Sequence, residues 1–248
     1  MILKVIVNLL ARLNDLVFAR LGFYLTNRNR NFRDSVRNHV ITDSINLVID
    51  VGASHGQYGQ WLRKSKFRGR LISFEPEVDS FKKLQTKSQV DGLWQSHNVA
   101  LGASPSSGTL QVSGNFVSSS ILEMTNLHQT AAEGSAPVGV QEVEILPLDG
   151  FIPSLSEDPS ARIHMKIDVQ GYEGNVLSGS RTLLLDHRLR SIEIELSTAS
   201  LYVQQSNWIG ILQLLQNAGF TLISISGGFY EPKSRRMLQF DALLVRLE

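Results

Sequence analysis

The stretch Val48-Ile49-Asp50-Val51-Gly52-Ala53-Ser54-His55-Gly56-Gln57-Tyr58 runs from an apolar segment through an acid into two glycines. Ile45 to Val51 carries the β-branched run of a strand buried on both faces, and Gln57 to Lys64 reads as a helix beginning just beyond Gly56. The turn between them joins strand to helix. Gly52 and Gly56 admit backbone conformations closed to other residues and let a ligand approach without a Cβ in the way. On this stretch alone, a ligand cradle and an ordinary glycine-rich βα turn are equally good readings.

The next strand separates them. Arg70 to Pro76 ends in Glu75, about 20 residues beyond the turn, where an acid of a nucleoside-binding α/β fold accepts hydrogen bonds from ribose hydroxyls. A dinucleotide would bring a pyrophosphate, which is served by a G-x-G-x-x-G loop. Here the spacing is G-x-x-x-G, and Asp50 lies close to the same ligand position. A carboxylate repels phosphate but suits the ammonium and sulfonium of S-adenosylmethionine, so the turn favours the methyl donor over NAD.

Composition bounds the remaining choices. The chain has 248 residues, 42% hydrophobic and 19% charged, enough for one large α/β domain with a full core. A formal net charge of +1 supplies no broad basic field, so no nucleic-acid partner is expected. The absence of cysteine excludes disulfides, a thiol nucleophile and a thiolate metal site. Residues 1–25 are apolar but interrupted by Lys4, Arg12, Asp15 and Arg20, which predicts amphipathic helices and no transmembrane span, with membrane-surface contact as an alternative use. No signal cleavage site is evident, and a cytoplasmic location is expected. Arg28, Arg30, Arg33 and Arg37 read as a solvated face.

Along the chain, residues 1–44 read as a helical segment packed on a domain spanning 45–248. Val78 to Lys87 fits a helix, Leu93 to Leu101 a third strand, and 103–150 an inserted hairpin-like elaboration over the site, with a mobile loop near 126–140. Ile163 to Val169 is a fourth strand, Tyr172 to Leu185 its helix, and Arg190 to Leu196 a fifth strand. Asn207 to Ala218 is a helix closed by Gly219, and 220–226 with 240–246 form a terminal antiparallel pair.

Three segments then agree: Ile49 to Tyr58 (IDVGASHGQY), Phe74-Glu75-Pro76, and Met165 to Ser180 (MKIDVQGYEGNVLSGS). Together they resemble the FkbM family of S-adenosylmethionine-dependent O-methyltransferases, over about residues 45–246. That pattern is a D-V-G-A-N-x-G turn, F-E-P, and K-I-D-V-E-G-x-E followed by V-L-x-G. Ser54 stands where the family has Asn, and Gln170 where it has Glu. The resemblance implies a Rossmann-like, seven-stranded, mostly parallel sheet with helices on both faces and an antiparallel last strand beside the fifth. It also implies a donor site formed by Asp50, Gly52, Ala53, Ser54, Gly56, Tyr58, Glu75, Pro76, Asn98, Ala100 and Asp168. Looser likeness in Asn115 to Met124, His128 and the late strands points to members that methylate sugar hydroxyls of glycolipids or related glycoconjugates.

For the chemistry, Asp168 falls at the carboxyl end of the fourth strand, where open α/β sheets bind ligands, although an acid there also suits a helix cap. Glu193 and Glu195 share one face of the fifth strand, and two carboxylates on a central strand need partners. Glu195, Asp168 and Asp241 are expected to converge. They would grip sugar hydroxyls or, less favoured, hold Mg²⁺; Glu193 or Asp241 pairing with Lys166 or Arg246 is the structural alternative. His128 is the remaining base candidate, and Ser119, Ser120 and Gln170 are expected at the acceptor. The competing functions are an NAD-dependent oxidoreductase or epimerase, whose Tyr-x-x-x-Lys pair is not found in the chain, and a non-catalytic protein that binds S-adenosylmethionine.

Overall fold

The structure, a computed structural model, describes residues 28–151 and 158–247. Helix α1 (Arg28–Thr42) buries Phe32, Val36 and Val40, whose spacing of four puts them on one face, in an apolar cluster with Leu243 and Val245. The helices expected within residues 1–25, and any membrane contact through them, lie outside the described residues. Among the described residues, no helix is long and apolar enough to cross a membrane.

Strand β1 (Leu47–Val51) is buried throughout and leads into α2 (Gln57–Lys64), then β2 (Arg70–Phe74) and α3 (Val78–Ser88). Glu77 caps α3 by accepting hydrogen bonds from the Asp79 and Ser80 amides. Next come β3 (Trp94–His97), β4 (Ala100–Leu101), β5 (Ser106–Ser113), α4 (Asn126–Ala131) and β6 (Pro137–Leu146). β7 (Ile163–Ile167), α5 (Glu173–Ser178), α6 (Arg181–Leu185), β8 (Leu189–Ser197), α7 (Trp208–Asn217), β9 (Phe220–Tyr230) and β10 (Met237–Arg246) complete the order.

Seven strands form one sheet in the order β3-β2-β1-β7-β8-β10-β9. All pairings are parallel except those of β10, which is antiparallel to both β8 and β9. This is the class I methyltransferase sheet. One apolar cluster, including Ile49, Met165, Ile194 and Leu215, fills one face, and a second, including Val48, Tyr58, Leu71 and Leu243, fills the other. Burial on both faces explains the near-continuous apolar strands.

Three expectations need correction. The strand read over Leu93 to Leu101 divides. The Asn98 side chain donates to the carbonyls of Glu75 and Pro76, and the chain then leaves β2 for a second, three-stranded sheet of order β4-β6-β5. The helix read over Tyr172 to Leu185 breaks at Gly179, where a Cβ would stand 2.0 Å from the Gly102 carbonyl oxygen. The loop read near 126–140 contains α4 and the start of β6. Thr125 Oγ1, just before α4, donates to the carbonyls of Ser200 and Leu201, a tertiary tie that local sequence does not reveal.

Candidate functional site

The β1–α2 turn forms one wall of a cavity of about 220 Å³ beyond the carboxyl ends of the central strands. Its glycines serve the backbone more than the ligand. Gly52 lies at φ +76°, and a Cβ there would stand 1.9 Å from the Asp168 carbonyl oxygen, so the missing side chain admits the end of β7. Gly56, at φ +77°, precedes α2 and packs closely against Leu84 and Trp94; it does not line the cavity. Ala53 and Ser54 do line it.

Glu75 is buried at the end of β2 and faces this turn. Its Oε2 accepts the Ser54 amide at 2.7 Å and its Oε1 accepts the Glu77 amide at 2.9 Å. Burial outweighs these two bonds and pushes the carboxyl up to about 7. An ionised carboxylate has about four acceptor positions, so further donors from the cavity can still be accommodated. Phe74, Val99 and Leu101 supply apolar wall beside it, with Pro76 and Ala100 also in the lining. Asn98 holds the adjoining backbone and does not reach the cavity. The Ser54 hydroxyl is buried and has no partner among the described residues.

A second group of polar side chains rises from β7. Lys166 Nζ lies 3.1 Å from Asp168 Oδ2 and 3.7 Å from Asp50 Oδ1. Desolvation works against the buried ammonium, but the charges of Asp168, Asp50 and Glu193 outweigh it and hold the Lys166 pKa above its usual range. Asp50 is fully buried beneath the cavity and outside its lining; burial raises its pKa while Lys166 opposes the rise. Gln170 Nε2 donates to both Asp168 Oδ1, at 2.9 Å, and Glu195 Oε2, at 2.6 Å, while its Oε1 accepts the Tyr202 hydroxyl at 3.0 Å.

Asp168 lines the cavity and does not cap α5. Glu173 instead holds the connection into α5, its Oε1 accepting the amides of Val169 and Gly171. Glu195 lies behind Gln170, outside the lining, and also accepts Gln239 Nε2 at 2.8 Å. Burial and the charges of Asp168 and Asp241 push its carboxyl well up. Asp241 stands opposite Glu195 in the β8–β10 register but does not line the cavity, and burial raises it to about 7. Glu193 pairs with neither Lys166 nor Arg246: its Oε2 accepts the Tyr58 hydroxyl at 2.6 Å and lies 3.7 Å from His164 Nε2. Among the described residues, no group of three His, Cys, Asp or Glu side chains is set to hold a metal ion.

The second sheet and its connection roof the cavity with Leu110, Phe116, Val117 and Ile121. Ser119 and Ser120 also line it, but their hydroxyls are engaged within the protein. Ser119 Oγ accepts the Ser113 amide, and Ser120 Oγ donates to the Gln170 carbonyl. His128 is a correction. It is buried edge-on to Tyr202 and beside Phe229, away from the cavity, where desolvation lowers its pKa to about 4. Arg33 and Tyr172, which the sequence did not single out as site residues, line the cavity.

Residues 50–222 match the methyltransferase FkbM domain. This chain belongs to the FkbM methyltransferase family. The family is one of methyltransferases, which supports the methyl-donor reading of the turn over the dinucleotide one. No curated protein matches the sequence. Among solved structures, the FkbM methyltransferase of Methylobacillus flagellatus KT is similar at 14% identity and a TM-score of 0.48, covering 81% of this chain and 43% of its own. This chain thus spans less than half the length of that FkbM structure. A magnesium protoporphyrin IX methyltransferase from Synechocystis PCC 6803, solved with bound S-adenosylmethionine, matches at 12% identity and a TM-score of 0.43, over 97% of this chain and 96% of its own. An rRNA methylase from Streptococcus thermophilus matches at 11% identity and a TM-score of 0.43, over 82% and 88%.

The two departures from the FkbM pattern have different consequences. Ser54 sits at φ +47°, a region Asn tolerates better than Ser, so the exchange carries local strain. Gln170 places an amide between two carboxylates, where a Glu would add a third negative charge.

Proposed function

We propose that this FkbM protein transfers the methyl group of S-adenosylmethionine to a hydroxyl, the acceptor being a sugar of a glycolipid, polysaccharide or glycosylated metabolite. The carrying observation is the juxtaposition of Glu75 and Asp168 on one cavity, an acceptor of hydroxyl protons at each side.

The residues suit the donor. Glu75 has lone pairs to spare for the two ribose hydroxyls, and Phe74, Val99 and Leu101 offer apolar surface to the adenine. Bound there, S-adenosylmethionine supplies an activated methyl on a sulfonium. Asp168, anchored on one oxygen by Lys166 and on the other by Gln170, is held in one orientation to receive an acceptor hydroxyl and take its proton on Oδ. Glu195 acts through Gln170 as a positioning residue. Phe116, Val117 and Ile121 give the cavity an apolar border, which disfavours water near the reacting atoms. Alignment is the larger contribution, up to roughly 7–11 kcal/mol in well-oriented systems. A general base adds roughly 10²–10⁴-fold.

The Gln170 exchange does not favour the non-catalytic reading, because the amide restrains the reacting carboxylate. Incubation with methyl-labelled donor and glycolipid or polysaccharide fractions, with and without EDTA, tests the proposal. EDTA-insensitive label in a base-stable ether linkage supports it. Label confined to ester or amine products overturns the hydroxyl assignment.

A further inference from the structure

Arg33 lies on the first described helix, far in sequence from every motif of the site, yet it borders the same cavity. Its guanidinium carbon stands 4.8 Å from the Trp61 ring centroid and 5.5 Å from that of Tyr58. These flat faces fix the guanidinium without using its hydrogen-bond donors. No carboxylate among the described residues forms an ion pair with it. Lys166 reaches the Tyr58 ring too, at 5.4 Å, but is occupied by Asp50 and Asp168. Among the described residues Arg33 is thus an exposed cation at the cavity edge, supported by two rings and without an ion-pair partner.

The cavity is asymmetric in charge. Glu75 directly follows β2, whereas Tyr58, beneath Arg33, reaches through its hydroxyl to Glu193 on β8. Between them the sheet places β1 and β7. Arg33 and Glu75 line the same cavity, so a ligand with its ribose hydroxyls at Glu75 can turn its other end toward Arg33. The methionine end of S-adenosylmethionine carries an α-carboxylate, which matches a guanidinium fork in charge and geometry.

We infer that Arg33, stacked on Tyr58 and Trp61, binds the α-carboxylate of the methyl donor. The inference rests on the proposed donor position. It makes α1 part of the donor site, so donor binding also ties this helix to the sheet. Lys cannot fully replace Arg here, because an ammonium lacks the planar fork and stacks less well on the rings.

Isothermal titration with two ligands separates this inference from the reading beneath it. S-adenosylhomocysteine carries the carboxylate; S-adenosyl-3-thiopropylamine lacks that group alone. Wild-type protein is expected to bind the first about tenfold or more tightly than the second, the range of a charge-assisted hydrogen bond. Arg33→Gln is expected to lose that preference, weakening S-adenosylhomocysteine about tenfold while leaving the amine analogue unchanged, and Arg33→Lys to retain part of it. Arg33→Gln that weakens both ligands equally, or neither, overturns the role of Arg33 while leaving the donor site intact. Failure of wild-type protein to bind S-adenosylhomocysteine overturns both.

Discussion

Two polar networks lie next to each other on β7 and β8, and they differ in what completes them. In the first, the Tyr58 hydroxyl donates to Glu193, lies 3.0 Å from His164 Nε2, and His164 Nδ1 lies 2.7 Å from Ser191 Oγ. These side chains are buried and paired with one another. In the second, Lys166, Asp168, Gln170 and Glu195 form a chain whose Asp168 end opens on the cavity. Both break the apolar pattern of central strands, and both use carboxylates. The closed network satisfies itself and serves the fold, whereas the open one leaves acceptor positions for a substrate.

The contrast is broken most severely at Asp168. Asp168→Asn is expected to lower methyl transfer by about 10²-fold or more, with little change in the urea midpoint. An equal loss of stability would make Asp168 part of the scaffold. The mirror experiment is Glu193→Gln, which leaves S-adenosylhomocysteine affinity unchanged and costs about 2 kcal/mol of stability, since it disrupts a buried, charge-assisted hydrogen bond. Although burial opposes ionisation, His164, Arg33 and Tyr58 hold the Glu193 pKa below its usual value. A depressed acid stabilises the fold above its unfolded pKa, about 4.3, so the difference from wild type should shrink as pH falls below that point. Urea titrations across that range read it directly.

Glu75→Gln sharpens the comparison at the donor end. S-adenosylhomocysteine affinity should fall about tenfold, because ribose hydroxyls lose a charged acceptor. Glu75 is raised to about 7, so the folded protein binds this proton more tightly than the unfolded chain does. Wild type should therefore lose stability relative to Glu75→Gln as pH rises from about 4.5 to about 7, with no further change above. Donor affinity should rise over the same interval in wild type and stay flat in the variant. The smallest effect is expected at Gln170→Glu, where a new carboxylate faces Asp168 and Glu195. Its melting temperature should fall below wild type at pH 8 and recover part of the difference at pH 6, as one of the three acids takes a proton.

Much of this was readable before the structure, for physical reasons. Strand β1, the turn, α2 and Glu75 are close in sequence, and their β-branched run, glycines and acid follow from local backbone demands. Gly52 was legible as an exceptional backbone position, but its partner, the Asp168 carbonyl, comes from a strand more than a hundred residues away. Arg33 is exposed, as its place among four arginines suggested, but its position at the cavity was hidden. The spacing of Phe32, Val36 and Val40 carried the missing signal, since it puts Arg33 at the border of the packed face. His128 misled for the opposite reason: its local surroundings are polar, while Tyr202 and Phe229, which bury it, arrive from distant segments. The exchange at Gln170 could be seen, but its bridging of Asp168 and Glu195 required the β7–β8 register.

The most direct test is a crystal structure of the protein with S-adenosylhomocysteine. The account predicts both ribose hydroxyls on the Glu75 carboxylate, with the sulfur on the Asp168 side of the cavity. Ligand bound elsewhere, or bound there with its ribose turned from Glu75, would contradict it.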